Sequence, residues 1–351
     1  MSNTMNDETS IGTLMAEQVE RLLSREVTRE RLIAVEQGTF DTPLWQALEE
    51  MGITLALAPE SAAGAGLSWQ DAEPTLRAAG SWAAPVPLGE SLLATWALGS
   101  VGLEIPEGPI AVAEGVFRLD HNQHISGTDA LVPWIQHCQH LVVVAEQSGQ
   151  RFVCLLNRDE VSLETVETFA RIPSSRVVAS GATPVAIAAA DNIIGELGLL
   201  PALATLRTVQ IAGVLDRLLA LCVEYGNTRE QFGRPIGKFQ AIQHLIADMA
   251  AQTAAAQVAG LYACRQIDKG NGEYGAAIAK ARGGLAATRG AEAAHQIFGA
   301  MGFTDEHILH YYSRRLWQWR DEAGSEHWWA ERLGRRVLAQ SGDELWRGIS
   351  G

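Results

Sequence analysis

Apolar residues recur at intervals of three or four over the first hundred residues, as they do on helices with one buried face. One stripe is formed by Leu14, Val19, Leu22 and Leu23, and a second by Leu44, Leu48 and Met51. Thr42-Pro43 is typical of a cap followed by a first-turn proline, and Gly52 predicts the end of that helix. The pattern predicts a helical domain over residues 1–103.

The pattern changes over residues 104–191, where apolar and β-branched residues form short runs. Residues 141–145 and 152–156 are two such runs, and Ser148-Gly149 lies between them. A pair of this kind between two apolar runs is typical of the tight turn of an antiparallel hairpin. We therefore predict a small β domain over residues 104–191.

Helical spacing returns over residues 192–351, and alanine is unusually frequent there. An apolar helix is predicted to run up to Tyr225 and to break at Gly226, and a second helix is predicted to start near Lys238. Alanine-rich faces allow helices to approach closely, so these residues are predicted to form a tight helical bundle.

Composition and charge exclude several functional classes. A formal net charge of −14, without any run of Lys or Arg, argues against binding to nucleic acid. The amino terminus lacks the basic and apolar regions of a signal peptide, and the apolar interval 193–206 is interrupted by Glu196 and Pro201. We therefore expect a cytoplasmic protein without a membrane segment.

Neither the cysteines nor the histidines predict a metal site. The 4 cysteines are widely spaced, without a paired zinc or redox motif, and are expected to be reduced core residues. The pairs His121/His124 and His137/His140 lie in the β region, where side chains three residues apart point to opposite faces. We expect no bound metal and, without a nucleophile motif, no hydrolase chemistry.

One segment is specific enough to indicate a family. Residues 229–240 read Arg-Glu-Gln-Phe-Gly-Arg-Pro-Ile-Gly-Lys-Phe-Gln, and Asp248-Met249 follows. This sequence resembles a signature of the acyl-CoA dehydrogenase family of flavoproteins. Residues 296–304, with Ala300 where the family usually has a glycine, resemble a second FAD-contacting segment of that family.

The domain order extends the resemblance over nearly the whole chain. Residues 44–68 resemble the family's amino-terminal helical domain, and Gly127-Thr128-Asp129 resembles part of its central barrel. The resemblance implies a mostly α protein with a central β domain: an amino-terminal helical domain, a shortened β barrel and a carboxyl-terminal four-helix bundle that forms subunit contacts. It also implies an acyl-CoA substrate and an electron-transfer flavoprotein as acceptor. The net negative charge leaves room for a local basic patch that binds the CoA phosphates.

The cofactor implied by the resemblance is FAD. In the family, the arginine and the phenylalanine of the first motif hold the FAD of the neighbouring subunit. Carried over to this chain, the resemblance implies these FAD contacts: Arg229, Gln231, Phe232, Ile236, Phe239, Gln296 and Ala300. The motif therefore implies an oligomer as well as a cofactor.

The base that removes the α-proton of the thioester has no counterpart at its usual place. In many members it is the Glu of a Tyr-Glu-Gly-Thr segment, and residues 321–326, Asp-Glu-Ala-Gly-Ser-Glu, match that segment. Pairing the two Gly-Ser/Thr steps places Ala323 at the base position and leaves Glu322 displaced by one residue. A second base position known in the family, near residues 208–211, also lacks a carboxylate, and the nearest one is Asp216.

The family's flavin-facing Thr-Glu-x-x-x-Gly-Ser-Asp segment is missing too, and residues 113–116 take its place. These departures lead to three hypotheses. The first is a heteromeric α2β2 dehydrogenase in which this chain contributes FAD contacts and a second acyl-CoA dehydrogenase-like subunit contributes the base; such enzymes resemble those acting on CoA thioesters of steroid side chains. The second is a self-sufficient homo-oligomer with Glu322 as base. The third is a structural or regulatory member without flavin.

Overall fold

A computed structural model describes residues 10–304 and 306–350, with side chains up to residue 347. Five helices come first in this part of the chain: α1 (Ile11–Glu26), α2 (Arg29–Glu36), α3 (Thr42–Glu50), α4 (Trp69–Ser81) and α5 (Leu88–Ser100). Polar side chains cap the first three, because Ser10, Thr28 and Asp41 each accept the backbone N–H three residues further on.

The start of α3 differs from the prediction by one residue. The cap is Asp41, whose carboxylate accepts the N–H of Leu44 at 3.2 Å, and Thr42 is already the first helical residue. A carboxylate at this place also suits the positive end of the helix dipole, which explains why it takes the role. Gly52 follows the helix in a left-handed conformation with φ 70°.

The central domain is a seven-stranded sheet. Its strands are β1 (Ile110–Leu119), β2 (Ile125–Pro133), β3 (His140–Gln147), β4 (Gln150–Asn157), β5 (Val161–Thr165), β6 (Ser174–Ala182) and β7 (Ala186–Ala189). They lie in the order β5-β6-β2-β1-β3-β4-β7, with β1 and β3 parallel and the other neighbours antiparallel. The predicted hairpin is present: β3 pairs with β4, and Ser148 and Gly149 form the turn at positive φ.

A β-bulge interrupts β1. The register between β1 and β3 shifts between Val112 and Val116. Asp129 on β2 stabilises the displaced backbone, since one carboxylate oxygen accepts the N–H groups of Glu114 at 2.6 Å and Gly115 at 3.1 Å. A bulge re-aims the side chains beside it, so the direction of Glu114 is set by this irregularity.

The carboxyl-terminal domain is helical. It contains α6 (Leu200–Thr228), α7 (Gln240–Asp268), α8 (Gly272–Phe298), α9 (Leu309–Asp321), α10 (Glu326–Leu338) and α11 (Gly342–Ser350). Helices α6, α7, α8 and α9 pack together as a bundle. A short hairpin of β8 (Glu230–Gln231) and β9 (Arg234–Pro235) joins α6 to α7.

Helix α6 continues past the predicted break. Gly226 is buried inside the helix, which ends only at Thr228. A methyl group on Gly237 would lie 2.9 Å from the carbonyl oxygen of Gly226, so these glycines allow two backbone segments to touch. The glycine marks a close contact here, whereas the sequence pattern suggested a helix end.

Other glycines bring α4 close to α6. A methyl group on Gly80 would lie 2.3 Å from the carbonyl oxygen of Gln210, and one on Gly213 would lie 2.1 Å from that of Arg77. The two helices therefore touch backbone to backbone. As a result, α6 lies between the amino-terminal helices and the bundle, and α5, β1 and α6 meet in one region.

The predicted fold class is confirmed, because helical regions flank a central β domain. Cys138, Cys154, Cys222 and Cys264 are buried and free. In the part of the chain that the structure describes, no helix has both the length and the apolar character needed to cross a membrane.

Candidate functional site

The motif segment forms the hairpin at the end of α6. Arg229 leaves the helix in an extended conformation, and Gln231 pairs with Arg234. Phe232 and Gly233 make the turn, with φ values of 52° and 77°. Glycine adopts this conformation freely, whereas phenylalanine does so at a cost in strain. Because Phe232 is also 91% exposed, the hairpin has the character of a contact surface.

An open pocket of about 410 Å³ lies between this hairpin and the carboxyl end of α8, and we call it the motif pocket. It is lined by Tyr225, Arg229, Gln231, Phe232, Ile236, Phe239, Ile242, Ile297, Phe298, Gly299 and Ala300. All the expected FAD contacts except Gln296 are among these residues. Gln296 is exposed on α8, next to the lining residue Ile297.

Four aromatic or aliphatic residues of the motif pocket were not among the expected FAD contacts: Tyr225, Ile242, Ile297 and Phe298. Tyr225 and Phe298 stack with their ring centroids 4.2 Å apart, and Ile242 lies on the first turn of α7. The sequence did carry a signal for Tyr225, which lies four residues before Arg229, and the N–H of Arg229 donates to the carbonyl oxygen of Tyr225 at the end of α6.

The chemistry of the motif pocket fits FAD. Within the described residues, no carboxylate lies within 4.0 Å of the Arg229 guanidinium group, which is exposed. A free guanidinium group can bind a pyrophosphate through two parallel hydrogen bonds. The neighbouring rings of Phe232 and Phe239, 6.1 Å apart, offer apolar surface for a flat aromatic group.

A second region lies around residues 322–325, which we call the α9–α10 turn. Ala323 and Gly324 adopt left-handed conformations there, with φ values of 55° and 80°. The carbonyl oxygen of Ala323 accepts the indole N–H of Trp329 at 2.7 Å. Helix α10 therefore holds the turn from its carboxyl side.

Glu322 in this turn belongs to a buried ion-pair cluster. Arg207 on α6 donates to Glu322 and to Glu90 on α5, each at 2.7 Å, and the three side chains are 3%, 7% and 6% exposed. Gln318 donates to Glu322, and Gln210 accepts from Arg207. Burial alone would lower the pKa of Arg207, but the two carboxylates outweigh burial and the pKa is raised. The carboxylate of Glu322 is thus fully engaged.

Two further titratable groups approach the α9–α10 turn. Lys280 on α8 is fully buried, and its Nζ donates to two carbonyl oxygens at the end of α9, each at 2.7 Å. Burial lowers the pKa of Lys280 to about 7. Glu114 in the β1 bulge accepts the N–H of Ala323 at 3.2 Å. Burial, with the nearby Asp129 carboxylate, raises the pKa of Glu114 to about 7.

Little space remains between these groups. A cavity of about 20 Å³ is lined by Glu90, Val112, Glu114, Leu131, Pro133, Leu203, Arg207, Glu322 and Ala323. We call this region the closed cleft. Its volume suffices for about one water molecule, so a thioester could enter only by displacing side chains.

Comparison with known proteins identifies the family. Residues 202–338 match the family model described as acyl-CoA dehydrogenase, C-terminal domain. Acyl-CoA dehydrogenase FadE27 of Mycobacterium tuberculosis (strain ATCC 25618 / H37Rv) is 31% identical over 270 residues, which cover 68% of this chain and 69% of that protein. The chain belongs to the acyl-CoA dehydrogenase family.

Solved structures share the fold of this acyl-CoA dehydrogenase. A chain of the ChsE4-ChsE5 complex from Mycobacterium tuberculosis is 24% identical, with a TM-score of 0.82 over 94% of this chain and 98% of its own length. A variant of the steroid ACAD Tcur3481-Tcur3483 is 25% identical, with a TM-score of 0.84 over 93% of this chain and 98% of its own. The fold expected from the resemblance is therefore confirmed.

Family membership makes this acyl-CoA dehydrogenase an oxidoreductase acting on CH–CH bonds and implies FAD as its cofactor. Ala323, which the sequence resemblance pairs with the family's usual base, lines the closed cleft. Residues 208–211, the second position, are buried in α6, and Asp216 is exposed two turns away. The bulge of β1 contains residues 113–116, which the sequence resemblance placed at the family's flavin-facing segment.

A basic patch of this acyl-CoA dehydrogenase lies beside the first turn of α8. Its pocket of about 240 Å³ is lined by Glu273, Tyr274, Ala277, Arg332, Leu333, Arg335 and Arg336. Arg336 lies over the ring of Tyr274 at 4.5 Å, while Arg332 pairs with Glu273 at 2.6 Å. Arg335 pairs with Glu331 at 2.6 Å, so two of the three arginines of this patch already have a carboxylate partner.

A larger cavity lies away from all these residues. It has a volume of about 860 Å³ and lies in the amino-terminal domain, with Glu49, Ser91 and Glu107 in its wall. None of the residues assigned to FAD or to catalysis lines it, so we attach no catalytic role to it. Within the described residues, no group of three His, Cys, Asp or Glu side chains could hold a metal ion.

Proposed function

We propose that this chain is one subunit of a heteromeric FAD-dependent acyl-CoA dehydrogenase, in which it supplies FAD contacts and a partner subunit supplies the base. The observation that carries the proposal is the presence, in one chain, of an open motif pocket and a closed cleft. The motif pocket presents Arg229 and the rings of Phe232 and Phe239. The cleft that contains the usual base position has room for about one water molecule.

The alternative in which Glu322 is the base of a homomeric enzyme requires the buried cluster to open. Releasing the Glu322 carboxylate would leave Arg207 with only one of its two carboxylate partners. Breaking a buried ion pair in this way costs about 3–5 kcal/mol. The freed carboxylate would still face a cleft without space for an acyl chain, so the geometry favours a structural role for Glu322.

The alternative without flavin leaves the hairpin unexplained. Phe232 is both left-handed and 91% exposed, and Arg229 has no carboxylate within 4.0 Å among the described residues. Exposed aromatic and arginine side chains are typical of surfaces that a ligand or partner covers. A chain that had lost its cofactor would have no use for this strained arrangement.

In the proposed complex, the residues of the motif pocket bind the cofactor and do not react. The planar guanidinium group of Arg229 would hold the pyrophosphate of FAD. Phe232 and Phe239 would offer apolar surface to the adenosine of FAD. FAD, when bound, supplies the acceptor for the β-hydride. The α-proton goes to a carboxylate of the partner, and an electron-transfer flavoprotein is the proposed acceptor.

We assign the substrate to the CoA thioesters of steroid side chains. The support is the likeness to Tcur3481-Tcur3483, a steroid ACAD. The basic patch on α10 suits the CoA part, because guanidinium groups such as that of Arg336 bind phosphates well.

Coexpression tests the proposal. Alone, the chain should purify without flavin absorbance and without activity. Coexpressed with a base-bearing dehydrogenase subunit, it should form a yellow α2β2 complex that a steroid side-chain CoA thioester bleaches. A yellow homo-oligomer bleached by the thioester would overturn the heteromer, and assembly without flavin under any condition would favour the structural alternative.

Variants of the motif pocket add a second test. Arg229→Ala combined with Phe232→Ala should weaken flavin binding by at least about tenfold, which corresponds to about 1.4 kcal/mol. The matched control is Arg176→Ala, an exposed arginine on β6. Flavin content measured on the purified complex should fall only in the pocket variant; equal flavin content in both would contradict the assignment of the motif pocket.

A further inference from the structure

The side chain of Glu114 is a feature that the family motifs do not explain. It stands where the family has a flavin-facing segment, and it contacts the residue at the usual base position. Its Oε2 accepts the N–H of Ala323 at 3.2 Å, which joins residues 209 positions apart in the sequence. The contact therefore ties the sheet to the carboxyl-terminal domain across the closed cleft.

The backbone of the sheet is shaped for this contact. Asp129, which is buried, accepts the N–H groups of Glu114 and Gly115 with one carboxylate oxygen and that of Leu131 with the other, at 2.6, 3.1 and 3.0 Å. These bonds fix the bulge, and the bulge directs the side chain of Glu114 towards α9 and α10. The position of the carboxyl group is thus set by three hydrogen bonds behind it.

The α9–α10 turn that receives Glu114 is held from several sides. Trp329 donates to the carbonyl oxygen of Ala323, Lys280 donates to the end of α9, and Arg207 binds Glu322. Ala323 itself is in a left-handed conformation, which an alanine adopts only when its surroundings impose it. Its N–H is buried, and Glu114 is the acceptor that satisfies it.

We propose that Glu114 is a positioning residue that locks the α9–α10 turn and thereby keeps this chain's own cleft closed. The carboxyl group occupies the space beside Ala323 that an incoming thioester would need. The side chain of Glu114 therefore keeps this part of the cleft filled. The inference concerns this chain alone and does not depend on which subunit supplies the base.

Hydrogen–deuterium exchange on the full chain tests the lock. In Glu114→Ala, the amides of residues 320–325 should exchange at least about tenfold faster, while the rest of the chain is unchanged, because only local opening is affected. Glu114→Gln should keep the protection, since its side-chain oxygen still accepts the N–H of Ala323. The matched control is Glu164→Ala, an exposed glutamate on β5 that should change nothing in the turn.

Two results would overturn the lock: unchanged exchange of the turn in Glu114→Ala, or lost protection in Glu114→Gln. If Glu114→Ala does not fold, Asp129→Asn loosens the bulge instead and should give the same local acceleration of exchange.

A kinetic measurement distinguishes a positioning role of Glu114 from a catalytic one. In the flavin-loaded complex, kcat of Glu114→Gln should stay within about twofold, whereas a loss of about a hundredfold or more with protection intact would make Glu114 a base and refute the proposal.

Discussion

At the scale of single residues, Glu322 in the α9–α10 turn and Glu114, which contacts that turn, have different surroundings and therefore different roles. Glu322 lies against the guanidinium group of Arg207. Glu114 lies beside another carboxylate, Asp129, and among the described residues its side chain accepts one hydrogen bond, from the backbone N–H of Ala323. The first is held as part of an ion pair, and the second is driven towards its neutral form. The sequence matched the base segment to Ala323 and named Glu322 as the alternative, but it gave no reason to single out Glu114.

Glu322→Gln should therefore affect stability and leave catalysis intact. Loss of one carboxylate leaves Arg207 incompletely paired in a buried place, which should lower the free energy of unfolding by about 3–5 kcal/mol. Urea unfolding measures this, with the exposed Glu164→Gln as control. An unchanged free energy of unfolding together with a loss of activity of about a hundredfold or more would instead support Glu322 as the base.

The pH dependence of the free energy of unfolding should reveal the raised pKa of Glu114. Its pKa is raised from 4.5 to about 7 by burial and by Asp129, while Lys280 and Glu322 also face it. Between these two values the folded chain keeps a proton on Glu114 that the unfolded chain has released, so the contribution of Glu114 to the free energy of unfolding falls as pH rises from about 4.5 to about 7.

In Glu114→Gln the decline that Glu114 contributes to the free energy of unfolding should be absent. Lys280 does not mask the effect, because its pKa is lowered from 10.5 to about 7 and its contribution rises with pH only above that window. Urea unfolding of both proteins at several pH values between about 4.5 and 7 measures the difference. Parallel curves for the two proteins would show that Glu114 has no raised pKa.

At the scale of secondary-structure elements, the local features were predictable and the long-range ones were not. The β3–β4 hairpin and the motif hairpin depend on residues adjacent in sequence, so their patterns are visible there. The closed cleft joins side chains from α5, β1, β2, α6 and the α9–α10 turn, and Lys280 of α8 lies near its Glu114 and Glu322. Lys280, for example, lies in an alanine-rich helix, and nothing in that pattern indicates that its ammonium group is buried against the end of α9. Gly226 was misinterpreted for the same reason, since its partner Gly237 is brought to it only by the fold.

Replacement by alanine should have opposite effects on the free energy of unfolding at two glycines, Gly213 at the contact of α4 with α6 and Gly334 on α10. In Gly213→Ala, the new methyl group would lie 2.1 Å from the carbonyl oxygen of Arg77, so the helices must separate. Overpacking of this kind costs about 1–3 kcal/mol. Gly334 on α10 has open space around it, and alanine there should stabilise the helix by about 1 kcal/mol. Urea unfolding distinguishes the two, and equal effects would mean that α4 and α6 are not tightly packed.

At the scale of the whole molecule, the chain is acidic but carries a local basic patch. The net charge is −14, yet α10 presents Arg332, Arg335 and Arg336 on one side. Two glutamates partly offset this positive charge, because Arg332 pairs with Glu273 and Arg335 with Glu331. Such a local field attracts an anionic ligand despite the overall charge, and its effect weakens as salt screens it. The family resemblance anticipated a phosphate-bearing substrate, but the place of the patch depends on how α8 and α10 pack.

Arg335→Ala combined with Arg336→Ala should raise KM of the complex for a CoA thioester by about tenfold with kcat unchanged, because the arginines bind a part of the substrate that does not react. The KM of the variant should also depend less on salt than that of the native complex. Arg176→Ala serves as control. An unchanged KM would exclude the patch as the site of the CoA phosphates.

The outward-facing motif pocket has a consequence for how such a protein exists in the cell. If one chain holds one end of the cofactor and its neighbour holds the other, cofactor loading and subunit association become a single linked equilibrium, in which each favours the other by mass action. Dilution would then release flavin as well as separate subunits, and added flavin would raise the thermal midpoint and the apparent assembly constant together. The amount of active enzyme would be governed by the scarcest of three components, including the subunit that performs no chemistry of its own.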